Sequence, residues 1–459
     1  MTDTARDAGA RESGTAGTDA APPDARPQRM FIPALEGLRG AVALLVVTGH
    51  TGQAVGLVGW TEMYPGDPFW GAILHRTAVA FPIFFIMTGY LLYRSFALAT
   101  LTGGKRPDTK RYFWRRALRI LPAYWVLTAF ALFLSGVVGT TAKVDWGSVG
   151  GIWDVLRPVL LLHIYEPFVI PVGMEHTWSN AVDFAYYLAM PVFAVLLALW
   201  AKRAPDLRTR LNRIVIPLVA LIFVGLGFTM WTHTGQFMDD PMALWPMQYL
   251  WPTSYIGWLA AGMILAVWSA AEEVKPGSAP GIFRFAGRRP MLLWGSALVV
   301  FVLACVSPFS TNHRLDYPGM TAAIVDYWLF LAFAMLIVTP LIVPGMKSRF
   351  IDGLLANAPM RFLGKISYSL FLWHVIVYLL FLVPIFGPEP TNFFLVYAAE
   401  LAAAIGMAIF SYYAFERPFH KLRPWLGKAP AQLSVEVARP AEYDPEQVDR
   451  LAPVSNKGS

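Results

Sequence analysis

Residues able to do chemistry cluster at four places along the chain. The first begins Leu35-Glu36-Gly37-Leu38-Arg39-Gly40 and runs on to Thr48-Gly49-His50. On a helix, Arg39 and His50 lie about 16 Å apart along the axis and roughly 20° apart around it. Glu36 falls on nearly the same stripe. One helix face would thus carry an acid and a base at one end and an imidazole about halfway through an apolar run. Polar groups inside a membrane are costly, so each is a functional candidate. The bland reading of this face is an interfacial charge pair and a histidine bonded to a neighbouring backbone.

The second place is Arg115-Arg116-Ala117-Leu118-Arg119, followed by Pro122-Ala123-Tyr124-Trp125. Arg116 and Arg119 share a helix face. A topology anchor suffices to explain Lys105, Arg106, Lys110 and Arg111. Arg119 lies deeper and needs an anion or a carbonyl. Two guanidiniums at this spacing suit a phosphorylated ligand. The third is His176-Thr177-Trp178-Ser179-Asn180-Ala181-Val182-Asp183. Asp183 is placed either to orient His50, as a carboxylate orients a catalytic imidazole, or to cap a helix. The fourth runs Leu363-Gly364-Lys365-Ile366-Ser367-Tyr368-Ser369 to Trp373-His374, where His374 suits packing as well as catalysis. Spacing gives Glu400 and Asp326 no role, and Cys305 reads as packing. There is no phosphate-binding Walker loop, dinucleotide glycine fingerprint or His-Glu-x-x-His pair.

These residues need a membrane scaffold. Of 459 residues, 56% are hydrophobic and 15% charged, against roughly 25% charged in soluble proteins. Mean hydropathy is +0.48. A soluble enzyme, a disordered chain and a nucleic-acid binder are excluded as main readings. The one cysteine excludes a disulfide framework and a cysteine-based zinc site, and no metal is expected. Residues 1–30 and 424–459 are polar and read as disordered tails flanking a membrane domain at 31–423. The first tail lacks the apolar core of a signal peptide.

Spans need about 20 mostly apolar residues. Runs of that kind fall at 38–59, 77–95, 117–137, 178–200, 214–232, 251–270, 291–308, 321–344, 363–384 and 393–415. The expected fold is therefore an all-α polytopic bundle of about ten transmembrane helices. Residues 150–170, interrupted by Asp154, Arg157 and Pro158, read as an interfacial or re-entrant helix. With the N-terminus inside, the inner loops hold eighteen Lys and Arg and the outer loops four: Arg76, Lys143, Arg157 and Arg314. Cytoplasmic loops carry the excess of Lys and Arg, so both termini are expected in the cytoplasm.

In order, these blocks resemble the acyltransferase-3 family of integral membrane acyltransferases. Glu36-Gly37-Leu38-Arg39-Gly40 resembles the family's opening, and Arg39 to His50 its Arg-x10-His motif. Phe84-Phe85-Ile86-Met87-Thr88-Gly89-Tyr90-Leu91 resembles a second-span block. Arg116 and Arg119 match Arg-x-x-Arg. Trp178-Ser179 and Asp183 resemble a Trp-Ser block with a following acid, although the family's pair of glutamates is here Asp183 and Phe184. Ser367 through His374 resembles a late-span block, and Phe415-Glu416-Arg417-Pro418-Phe419 the closing motif.

The resemblance implies an acyl-CoA donor, acetyl-CoA in the first instance, entering from the cytoplasm. It also implies a hydroxyl acceptor at the outer side of a bacterial plasma membrane. Arg116 and Arg119, with Arg39, would hold the donor's phosphates. His50 would be general base or would take the acyl group, and Asp183 would hold its ring. Glu36, Trp178, Ser179 and His374 are expected to contact substrate. The acceptor would be a cell-envelope glycan or glycolipid, or else a small secondary metabolite such as a macrolide. A transporter or flippase is the reading from another class. Some relatives carry a C-terminal esterase-like domain, which is not expected here.

Overall fold

The structure is a computed structural model. It describes residues 32–61, 64–138, 149–165, 170–234, 247–308, 319–387 and 392–426. The expected tails, apart from residues 424–426, lie outside the described residues, as do Lys143 and Arg314. Among the described residues the architecture is helical, with one short antiparallel strand pair, β1 (Val58–Thr61) and β2 (Tyr64–Gly66).

The helices in chain order are α1 (Pro33–Ala54), α2 (Pro68–His75), α3 (Ala80–Thr102), α4 (Thr109–Val138), α5 (Val149–Val159), α6 (Trp178–Lys202) and α7 (Leu207–Thr232). Then follow α8 (Pro252–Val274), α9 (Gly281–Arg288), α10 (Pro290–Cys305), α11 (Met320–Ile342), α12 (Arg349–Leu355), α13 (Ala358–Val377), α14 (Val383–Phe386), α15 (Phe393–Ser411) and α16 (Arg417–His420). Asp67, Asp206, Asn357 and Asn392 cap α2, α7, α13 and α15, each accepting bonds from first-turn amides. Pro122, Pro191 and Pro217 lie inside α4, α6 and α7.

Eight helical stretches among the described residues are long and apolar enough to cross a membrane. There are nine if α9 and α10, which meet at 97°, count as one span. The sequence suggested ten. The run at 38–59 makes the difference. Its helix α1 has 22 residues, about 33 Å at the usual rise. Glu36, Arg39, Thr48 and His50 make it too polar to qualify by composition. α1 packs against α13, α15 and α3 instead, so its polar side chains meet protein rather than lipid. α5 has 11 residues, about 16 Å, too short to cross. It is tied to α4 by Tyr124 Oη donating to the Pro158 carbonyl at 2.7 Å and Trp125 Nε1 to that of Val159 at 3.0 Å.

Two glycine contacts set the helix register. A Cβ on Gly364 of α13 would sit 1.8 Å from the Glu36 carbonyl oxygen, and one on Gly37 of α1 would sit 1.8 Å from that of Leu355. Only glycine permits so close an approach. Likewise Gly89 of α3 abuts Leu259 of α8, and Gly262 abuts Ile86. α8 is enclosed along nearly its whole length and forms the centre of the bundle.

The remaining intramembrane acids have partners. Asp326 on α11 pairs with the buried Arg76 at 2.8 Å. Glu273 on α8 pairs with Arg94 on α3. Glu400 on α15 meets the Thr51 hydroxyl at 2.7 Å. Two π-helical segments, Tyr378–Leu382 and Tyr412–Glu416, follow α13 and α15. Such bulges recur at functional sites.

Candidate active site

The glycine-set contact of α1 with α13 brings two histidines 324 residues apart together. His374 Nε2 lies 2.9 Å from His50 Nδ1, with ring centroids 5.0 Å apart. His374 Nδ1 lies 2.8 Å from the Phe371 carbonyl oxygen. A carbonyl only accepts, so His374 must carry its proton on Nδ1. In the neutral ring its Nε2 is then an acceptor, and His50 Nδ1 must be the donor. The chain of bonds therefore assigns the basic lone pair of His50 to Nε2.

His176, from the 3-10 turn Glu175–Thr177 before α6, is the third imidazole here. Its centroid is 4.8 Å from that of His374 and 6.3 Å from that of His50. Among the described residues, no group of three His, Cys, Asp or Glu is arranged to hold a metal ion.

Asp183 is buried, but its carboxylate accepts a 3.4 Å bond from Tyr187 Oη, one turn further along α6. Its other polar neighbours are Arg119, Arg116 and Thr88. The group that holds the His50 ring is therefore His374, not Asp183. Trp178 packs with Phe81 at 4.9 Å and Tyr255 at 5.0 Å, and Ser179 Oγ donates to the His176 carbonyl at 3.4 Å. Glu36 accepts an ion-pair bond from Arg361 Nε at 3.3 Å.

The arginines meet elsewhere. Arg39, Arg116 and Arg119 line one open cleft with Thr88 and Tyr187. Phe84, Met87 and Leu91 of α3 form an apolar wall. Arg39 Nη2 donates to Ser367 Oγ at 3.3 Å. Arg116 lies over the rings of Tyr187 at 5.6 Å and Tyr112 at 5.8 Å. Among the described residues, none of the three guanidiniums forms an ion pair with a carboxylate. Three guanidiniums in one partly buried cleft have the charge and the donors to bind a polyanionic group.

Glu416, in the closing motif, is buried and accepts from Ser369 Oγ. Ser369 also bonds Ser411 at 3.0 Å, and Ser411 accepts from Trp373 Nε1 at 2.9 Å. This network ties α13 to the bulge after α15, beside His374. Sequence reasoning missed Tyr187, the role of His176 and this network. The sole signal for His176 was its place directly before Thr177-Trp178-Ser179.

A family model described as an acyltransferase domain matches residues 32–413. The chain belongs to the acyltransferase-3 family. A peptidoglycan O-acetyltransferase of Listeria monocytogenes is 22% identical over 358 residues, covering 76% of this chain and 50% of that protein. A Staphylococcus aureus protein named as an O-acetyltransferase is 24% identical, covering 85% and 58%. The acyltransferase MdmB of Streptomyces mycarofaciens is 28% identical over 174 residues, covering 36% and 40%. The chain thus spans about half the length of the relatives it matches. No solved structure matches it.

Proposed function

We propose that the protein is a membrane O-acyltransferase that moves an acyl group, acetyl in the first instance, from acyl-CoA to a hydroxyl. The observation that carries this reading is the Phe371–His374–His50 chain of hydrogen bonds. It leaves a basic imidazole nitrogen on the same helix as Arg39 of the three-arginine cleft. The cleft supplies charge for the phosphates of the donor. The imidazoles supply a base for an acceptor.

In the reaction, His50 Nε2 takes the proton of the acceptor hydroxyl as its oxygen attacks the thioester carbon. The carbon–sulfur bond breaks, and the proton on Nε2 passes to the departing thiolate. His374 keeps Nδ1 of His50 bonded, which fixes the ring and its tautomer while Nε2 is charged. Enclosure by the bundle keeps water from the thioester.

The loop charges support a cytoplasmic cleft, with both termini cytoplasmic and the acceptor arriving from the other face of a plasma membrane. The name of the Listeria relative favours a cell-envelope glycan as acceptor. The test is release of free CoA thiol from acetyl-CoA by purified protein in lipid nanodiscs. Release that depends on added glycan acceptor and is lost in His50→Ala supports the reading. Absence of release with intact protein contradicts it.

A further inference from the structure

Four polar side chains recur at steps of four, three and four along the turn before α6 and the helix itself: His176, Asn180, Asp183 and Tyr187. This is one helix face. His176, Asn180 and Asp183 are 3%, 4% and 2% exposed. Both ring nitrogens of His176, the Asn180 Nδ2 amide and Asp183 Oδ1 have no hydrogen-bond partner. The backbone of Phe371 and Leu372 lies beside the His176 ring without completing a bond. Buried polar atoms in folded proteins are nearly always satisfied, and each exception calls for a missing partner. Here three neighbours on one stripe are exceptions together.

The stripe has defined ends. His176 touches the imidazole pair, 4.8 Å from His374 between centroids. Tyr187 is a wall of the arginine cleft, and Asp183 lies among Thr88, Arg116 and Arg119, which are walls of the same cleft. From residue 176 to 187 the helical rise is about 16 Å, the same span that separates Arg39 from His50.

We infer that this face of α6 is a track of hydrogen-bonding groups for the amide-bearing thioester arm of the donor, joining the phosphate cleft to the imidazole pair. The inference rests on the acyl-CoA reading above. Between its phosphates and its thioester, such a donor has a thin extended chain with two secondary amides and a hydroxyl. Each amide needs a donor for its carbonyl and an acceptor for its N–H. Asn180 Nδ2 supplies a donor, Asp183 Oδ1 an acceptor, and a neutral His176 one of each. At the cleft end, the apolar wall of Phe84, Met87 and Leu91 suits methylene groups next to the phosphates.

The experiment is calorimetry on full-length protein in detergent with two probes, acetyl-CoA and 3′,5′-ADP. The second carries phosphates but no arm. Asn180→Leu keeps the size of the side chain and removes its donor. It is expected to bind acetyl-CoA about 10-fold more weakly, the scale of one lost buried hydrogen bond, and to bind 3′,5′-ADP like wild type. His176→Phe, run beside it, keeps a ring but removes both ring nitrogens at the end of the track away from the cleft; it is expected to show the same selectivity and serves if the leucine variant does not fold. Unchanged acetyl-CoA affinity in the folded variants overturns the track, and so does equal weakening of both probes. Wild-type protein that binds neither probe overturns the acyl-CoA reading itself and the track with it.

Discussion

His374 Nε2 stands 2.9 Å from His50 Nδ1, and the opposite nitrogen of His374 is anchored to the Phe371 carbonyl one turn back on the same helix. The arrangement gives His50 an orienting partner that is itself a histidine. A neutral imidazole accepts the His50 N–H without adding a negative charge to an apolar interior. That suits a site enclosed by membrane helices better than a bare carboxylate does.

The role of His374 as a positioning residue predicts a split in kinetics. His374→Ala should lower kcat roughly 10- to 10³-fold, since the base is left with an unfixed tautomer. Affinity for 3′,5′-ADP, which carries the donor's phosphates alone, should stay near that of wild type, because His374 does not line the cleft. His374→Gln restores an acceptor for His50 Nδ1 and should recover part of the lost kcat. Steady-state rates and calorimetry on the same preparations check this. Loss of 3′,5′-ADP affinity in step with kcat would show a structural role only.

The cleft predicts that charge alone is not enough. Arg116→Lys or Arg119→Lys keeps the positive-inside signal but loses the forked guanidinium. Charge-assisted hydrogen bonds are worth roughly 1.5–3 kcal/mol, so acetyl-CoA binding should weaken about 10- to 150-fold while insertion stays normal. Neutralising Lys105 or Arg106, which do not line the cleft, should leave affinity nearly unchanged. Equal affinity in wild type and both lysine variants would leave the pair as a membrane anchor.

The close approach of α1 to α13 predicts where size is not tolerated. Gly364→Ala places a Cβ 1.8 Å from the Glu36 carbonyl oxygen, a backbone atom that cannot swing away. Overpacking of this kind costs roughly 1–3 kcal/mol or more, so thermal unfolding in detergent should begin at a clearly lower temperature. Gly406→Ala, where nothing lies within 4 Å, should be neutral. Similar unfolding temperatures for the two variants would show that α1 and α13 can part without cost.

Topology follows from the loop charges. Reporter fusions at residues 145 and 240 should read as outside, and those at 105 and 208 as cytoplasmic. A cytoplasmic signal at 145 would reverse the sides assigned to donor and acceptor.

What could be read from the sequence was local. The stripe from Arg39 to His50 and the spacing of Arg116 and Arg119 are periodicities within one helix, and α1 and α4 carry them as helices. The grouping of Arg39 with the other two came from the family resemblance, and one cleft is lined by all three. The partnership of His50 with His374 was out of reach, because it depends on how Gly364 lets two distant helices approach. Asp183 was a candidate orienter because a carboxylate suits a catalytic imidazole, yet its carboxylate accepts from Tyr187, one turn along its own helix. The count of spans differed for a related reason. Helix α1 is polar because protein surrounds it, and a count based on hydropathy sees only its composition.

The proposed mechanism turns on His50 as the base of the acyl transfer. The most direct test is single-turnover acyl transfer by His50→Ala protein that is folded and shown by calorimetry to bind acetyl-CoA normally. A general base at His50 predicts a loss of at least about 10²-fold in the chemical step. Near-normal transfer by that protein would contradict it and remove His50 from the mechanism.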